Sequence, residues 1–451
     1  MLARRLGEFV ASIDAAALPH AVVQAIRLRV LDTLGAGLAG VALGNHRVIA
    51  PLLQSEGRVR IWGVAGGRSA HEAALVNSFA THSTYLEDGS RFTGGHPSSV
   101  VIPAVLADAQ QRGASSGDVV AAVAAGYEVF LRLGRAIYPA CVQRGFQSTA
   151  VLGAVSSAAA IARLRQLSPE ACGHAISIGA NLGAGFKEAL KCSSTQPLQV
   201  ARSCEGGMVA ATLAQAGQAG APRVLENGFL PALGALTTAD IEAIGADLGD
   251  GFRIHETYLK RHAGCRGNHA PVDCALELVA AHGVGASDVR RIRVGVDTVT
   301  RAAAIEPPAS GEEAQFSIGF SVAVALVEGD ASIFRYTDAL LSEEPVRAMM
   351  ERLEVVVDTS LDEHYPSERG AWVELELNTG ERFRRAVSNA RGEPEWPLTA
   401  ADVEQKFMQL ATPCLGKRAG ALRDAIRHLE NVDATQIAEL LAPQEDMHNP
   451  I

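Results

Sequence analysis

Between His82 and Ser98 the chain reads His-Ser-Thr-Tyr-Leu-Glu-Asp-Gly-Ser-Arg-Phe-Thr-Gly-Gly-His-Pro-Ser. This short stretch gathers titratable side chains of the kind that exchange protons with a substrate. Apolar residues at helical spacing run through 73–82, whereas Gly89, Gly94, Gly95 and Pro97 forbid a continuing helix. Glu87, Asp88 and His96 are therefore predicted to stand on loop backbone at a helix end. On these residues alone two readings stand side by side. In one, the loop converges charged groups on a cleft and is the active-site loop. In the other, Asp88-Gly89 is an ordinary turn and His96 a surface residue before a proline.

The elements that must position this loop are mostly helices. Val22, Val23, Ile26, Val30, Leu34 and Leu38 recur at three and four, which predicts an amphipathic helix over 18–40. Residues 117–138, 149–163, 169–184 and 204–215 read as further helices rich in alanine and glycine, suited to close backbone packing. Residues 59–64 read as a short strand or turn. After about residue 267 the pattern changes. Residues 289–296 alternate as a strand, 353–357 are β-branched, and 372–377 with 381–387 flank Asn378-Thr379-Gly380, a hairpin signal. Helices over 271–282 and 320–326 lie between these strands, and 400–410 and 419–429 return to helix. The predicted fold is mainly α, a large all-α helical domain plus a smaller α+β domain.

Gly35, Gly37 and Gly40 spell Gly-x-Gly-x-x-Gly, with Glu56 further on, superficially a dinucleotide signature. That signature needs a strand before it, so that a pyrophosphate meets a fresh helix N-terminus. Here the glycines fall inside or at the end of a helix, and helix packing through small residues is the preferred reading.

With 451 residues, 48% hydrophobic and 20% charged, the chain is long enough for two domains and too apolar for disorder. A formal net charge of -10 with its 40 basic residues dispersed gives no footprint for nucleic acid. Glu8 and Asp14 interrupt any signal-peptide core, and no run of about 18 apolar residues could cross a bilayer. A cytoplasmic protein without membrane contact is expected. The seven cysteines are odd in number and form no Cys-x-x-Cys pair, and His-Glu-x-x-His is absent. Free thiols and no metal site are therefore expected. The tail over 444–451 is polar and is expected to be mobile.

Several collinear stretches carry a family likeness: residues 74–82 followed by the acidic loop and His-Pro-Ser-Ser at 96–99, Leu-Asp-Thr-Leu-Gly-Ala-Gly-Leu-Ala-Gly at 31–40, Gly-Phe-Gln-Ser-Thr-Ala at 145–150, Cys-Arg-Gly-Asn-His at 265–269, Ala-Gln-Phe-Ser-Ile at 314–318 and Gly-Glu-Pro-Glu-Trp-Pro-Leu-Thr at 392–399. Together they resemble the MmgE/PrpD family, which contains 2-methylcitrate dehydratases, cis-aconitate decarboxylases and iminodisuccinate epimerases. The resemblance implies a discontinuous helical domain, 1–266 with 400–443, and an α+β lid over 267–399. It also implies chemistry without a cofactor on a small carboxylate, and a homodimer. His96 matches the family's loop histidine and Lys260 a site lysine; Arg266 and His269 follow in the same motif. Lysine and arginine suit carboxylates as a point charge and a bidentate fork.

The chain departs from the family pattern at several places. Tyr85 stands where an aspartate is usual and Gly89 where a threonine is. Gln147, Gln196 and Gln199 replace two histidines and a lysine, and Phe320 a tyrosine. The pocket is expected to be less cationic, which disfavours a tricarboxylate substrate because unpaired buried carboxylates are costly. The expected activity is that of a lyase, a dehydratase of a β-hydroxy acid. In it His96 abstracts the α-proton, Lys260 stabilises the enolate, and Asp88 or Tyr85 assists the leaving hydroxyl. Arg266, Gln147, Gln196, Gln199, His269 and Phe320 would line the substrate. An epimerase working by two-sided proton transfer, and a binding protein without catalysis, are the alternatives.

Overall fold

The computed structural model describes residues 1–191 and 195–443. Cys192 and the 444–451 tail lie outside the described residues. Among the described residues the chain is mainly helical with one four-stranded sheet, and it divides into two compact units. The larger comprises 1–83, 87–258 and 399 onward; the smaller comprises 259–398 together with Thr84–Leu86. Residues 259–266, grouped with the helical domain in the sequence reading, join the smaller unit because their backbone bonds into it. Leu259 N donates to Gly392 O, Ala263 N to Ala331 O and Cys265 N to Gln315 O, at 3.0, 3.0 and 2.7 Å.

In the larger unit the helices start where the sequence supplies a cap. Ser69, Ser115 and Ser168 each accept a main-chain N–H from the first turn of helices Ala70–His82, Ser116–Ile137 and Pro169–Gly179. Thr399 and Asp402 form a reciprocal capping box at helix Ala400–Leu415. At the centre lies helix Ser148–Leu164, buried at every position except Arg163. Its serines and alanines give neighbouring helices Thr195–Gln215 and Ser116–Ile137 a close approach. Gly37 and Gly40 lie well inside helix His20–Ala42, with no strand before them. A Cβ on Gly40 would fall 2.1 Å from the Ala80 carbonyl, and one on Gly37 2.6 Å from the Trp62 ring. The Gly-x-Gly-x-x-Gly pattern is thus the print of helix packing.

The structure adjusts several boundaries. The helix read over 169–184 ends at Gly179, that read from 204 starts at Thr195, and Val59 contributes a single bridge to Arg68. Helix Ser98–Arg112 had no counterpart in the sequence reading, because Pro97 and Pro103 disguise it. Pro97 sits at the N-cap, where a missing N–H costs nothing.

In the smaller unit β1 (Val289–Val296), β2 (Leu353–Val357), β3 (Ala371–Leu377) and β4 (Arg382–Val387) are ordered β2-β1-β3-β4. β1 and β2 are parallel, which requires a crossover, and helix Ile318–Glu328 lies on it; β3 and β4 form the antiparallel hairpin. Helix His269–His282 packs on β3 and β4, and helix Ile318–Glu328 packs beside it. Among the described residues no helix is long and apolar enough to cross a membrane, and the six described cysteines are free thiols.

Candidate active site

Helix Ala70–His82 stops at its C-cap Ser83, and the chain after it doubles back. Ser90 N donates to Gly95 O, and Gly94, at φ 60, donates to Ser90 O, both at 2.9 Å. This turn returns His96 to Asp88. His96 Nδ1 lies 2.6 Å from the Asp88 main-chain carbonyl. A carbonyl only accepts, so Nδ1 carries a proton, and in the neutral ring the lone pair is on Nε2, the form a general base needs. The backbone N–H of His96 donates to Thr149 Oγ1 at 3.1 Å, in the first turn of the central helix. The imidazole side chain keeps 16% of its surface exposed.

Asp88 therefore orients His96 through its main chain, and its carboxylate turns the other way. That carboxylate is buried and accepts from Ser98 N at 3.1 Å and from the Tyr127 hydroxyl at 2.8 Å. Burial pushes its pKa up to about 6, against the bonds from Ser98, the charge of Arg29 and the bond from Tyr127. The raised pKa means that the folded state holds this proton longer than the unfolded chain does. The group's contribution to stability is present below the ordinary carboxylate pKa and is lost as pH rises through about 6. Asp88→Asn should remove that loss, worth about 2–3 kcal/mol above pH 6, while keeping turnover within a few-fold. Thermal melts of both proteins from pH 4 to 8 check the first part; a collapse of activity in the amide variant would restore the carboxylate to a catalytic role.

A second histidine stands next to the first. His82 is buried, its Nδ1 2.5 Å from Glu87 Oε1 and its Nε2 3.3 Å from the Gln196 amide nitrogen. The carboxylate accepts from the Nδ1–H and the amide donates to Nε2, so both ring nitrogens are engaged. The His82 and His96 rings are 5.5 Å apart, and Glu87 Oε1 is 3.8 Å from His96 Nδ1. The sequence reading gave His82 and Glu87 no role. Their spacing across a helix end was the available signal, but nothing local says that the two side chains turn toward one another.

The smaller unit holds the cations. Lys260, 2% exposed, donates its Nζ to the carbonyl of Tyr85. Tyr85 is left-handed at φ 50, a conformation uncommon for a bulky residue, and its ring stands edge-on to Phe316 at 5.4 Å. The contact with Lys260 is made by the Tyr85 main chain, whereas the sequence reading had its side chain assisting the leaving hydroxyl. Arg266 is not an open anion fork either, because its guanidinium binds Glu393 Oε1 through Nε at 2.8 Å and Nη2 at 2.5 Å. His269 is buried, its Nε2 3.4 Å from Gly264 O. Burial, then the charges of Arg266, His262 and Lys260, hold its pKa well below the usual histidine range. His262 Nε2 is 2.8 Å from Asp273 Oδ1.

Three of the residues expected to line the substrate make local bonds or packing contacts. Gln147 caps the central helix, its Oε1 accepting from Ala150 N at 2.5 Å. Gln199 binds both main-chain groups of Phe186, accepting from its N–H at 2.9 Å and donating to its carbonyl at 3.2 Å. Phe320 is fully buried, edge-on to Tyr336 at 5.3 Å. Gln196, by contrast, reaches His82. Among the described residues no group of three His, Cys, Asp or Glu side chains is placed to hold a metal ion.

Comparison with known proteins agrees across the chain. The MmgE/PrpD N-terminal domain matches residues 4–241 and the MmgE/PrpD C-terminal domain residues 262–431. A cis-aconitate decarboxylase-like protein of Aspergillus oryzae is 24% identical, covering 97% of this chain and 96% of its own. Cis-aconitate decarboxylase of Aspergillus terreus is 24% identical over 94% of this chain and 92% of its own, and that of Homo sapiens 26% identical over 93% and 90%. The larger unit with its returning loop, the smaller unit with its buried lysine, and these matches along both lead to one assignment: the chain belongs to the MmgE/PrpD family, an enzyme family with lyases among its members.

Proposed function

We propose that the protein is a lyase, a dehydratase that removes water from a small β-hydroxy carboxylic acid. The observation that carries this reading is the bond from His96 Nδ1 to the Asp88 carbonyl, which fixes the tautomer with its lone pair on Nε2. In the proposal His96 takes the proton α to a carboxylate, and Lys260 holds the negative charge that develops there. The carboxylate stays in place, and the electron pair of the broken C–H bond forms the C=C bond as the β-hydroxyl leaves as water. Proton transfer and charge stabilisation are within the means of these side chains, so the reading asks for no cofactor.

The pairing of Arg266 with Glu393 supports a substrate with fewer carboxylates than citrate, because that guanidinium charge is already matched. A second reading, decarboxylation, is favoured by the similarity to cis-aconitate decarboxylases over nearly the whole chain. Proton NMR in deuterium oxide separates the two. The protein would be mixed in turn with cis-aconitate, citrate, 2-methylcitrate, malate-type acids and longer β-hydroxy acids. Loss of an α-proton signal with new vinylic signals is the expected result. Release of carbon dioxide from cis-aconitate would move the protein to the second reading, and exchange without an alkene would make it an epimerase.

A further inference from the structure

Gly89 and Tyr258 pair as a two-way backbone bridge, Gly89 N donating to Tyr258 O at 3.2 Å and Tyr258 N to Gly89 O at 2.8 Å. Gly89 directly follows Asp88, whose carbonyl holds His96. The bridge therefore fixes the origin of the Tyr258 side chain against the origin of the His96 hydrogen bond. The far side is held by Arg29, which donates to Thr257 Oγ1 and Thr257 O, both at 3.0 Å. Tyr258 folds its ring over the bare face of Gly89. A Cβ there would lie 2.4 Å from the Tyr258 hydroxyl and 3.0 Å from His96 Nδ1. One point in space is thus within 3.0 Å of both the phenol oxygen and the imidazole.

We propose that the Tyr258 hydroxyl is the acid of the reaction, the group that gives a proton to the departing hydroxyl while His96 handles the α-proton. Gly89 is the residue that makes room for it. The assignment rests on the dehydratase reading above. It replaces the expectation for Tyr85, whose ring lies against Phe316.

The step balances without an added reactant. His96 Nε2 takes the α-proton and the C–H electron pair enters the enolate. That pair then forms the C=C bond as the C–O bond breaks, and the leaving oxygen takes the Tyr258 proton and departs as water. One proton passed through solvent from the imidazolium to the phenolate restores both groups.

Tyr258→Phe removes one oxygen and keeps the ring and the bridge, so the fold should persist; its melting temperature is the control. With the acid that the wild type dehydrates, alkene formation should fall about 10²-fold or more. Exchange of the α-proton into deuterium oxide should continue, because His96 is intact. A merely structural tyrosine would lower exchange and elimination together. Gly89→Ala, whose Cβ pushes the phenol aside, should give the same split. Added to Tyr258→Phe it should cost little more, because the hydroxyl is already gone. Tyr258→Phe with alkene formation within twofold of wild type, or with exchange lost in equal measure, overturns the assignment and leaves the dehydratase reading standing. A wild type that dehydrates none of the acids overturns that reading, and this proposal with it.

Discussion

Replacing His96 by asparagine is expected to lower turnover by about 10²- to 10⁴-fold, the range that a positioned general base contributes, with little change in melting temperature. The asparagine amide can still donate to the Asp88 carbonyl, which His96 Nδ1 meets at 2.6 Å. The backbone bond to Thr149 does not depend on the side chain at all. What is lost is the Nε2 lone pair. The variant therefore separates the two things the imidazole does, anchoring the turn and accepting a proton. His96→Ala should match it in turnover and add a small loss of stability. Full turnover in the asparagine variant would end the assignment of His96 as base, and would direct attention to His82. There the test is harder to read, because His82 is buried against Glu87 and Gln196 and its removal disturbs three side chains.

Lys260→Met should reduce kcat/KM by at least about 30-fold, the equivalent of the ~2 kcal/mol floor for losing a buried charged partner. Two causes would contribute to such a loss. The ammonium is nearly fully buried, and one of its donors holds the Tyr85 carbonyl in a left-handed turn. Lys260→Gln distinguishes them, since an amide can still donate to that carbonyl but carries no charge. If charge is what the substrate needs, the glutamine variant should be as poor as the methionine variant in kcat/KM yet closer to wild type in stability. A glutamine variant with near-normal kcat/KM would reduce Lys260 to a structural strut. Measuring steady-state kinetics and thermal melts on the same preparations gives both readings.

Much of the fold was legible because its signals are local. The period of three and four over Val22–Leu38, the β-branched run at 353–357 and the Asn378-Thr379-Gly380 turn each depend on neighbours a few residues away. The structure has helix His20–Ala42, β2 and the β3–β4 hairpin at those places. Helix Ser98–Arg112 escaped because its two prolines imitate loop punctuation, and only its place behind a returning loop makes Pro97 a helix start.

The candidate site was legible as residue types and illegible as roles. By itself the sequence determined which groups the loop carries, that helix 70–82 must stop before it, and, through collinear motifs along both units, the family. It could not determine that Asp88 serves His96 with its carbonyl and hides its carboxylate, that Glu87 turns to His82, or that Glu393, 127 residues distant, neutralises Arg266. Nor could it show that the bare face of Gly89 is filled by Tyr258. Helical period and turn chemistry are set by short-range sterics, which any ten residues express. The direction of a side chain and the charge it meets are set by packing between segments far apart in the chain, and that is decided only when the tertiary structure closes.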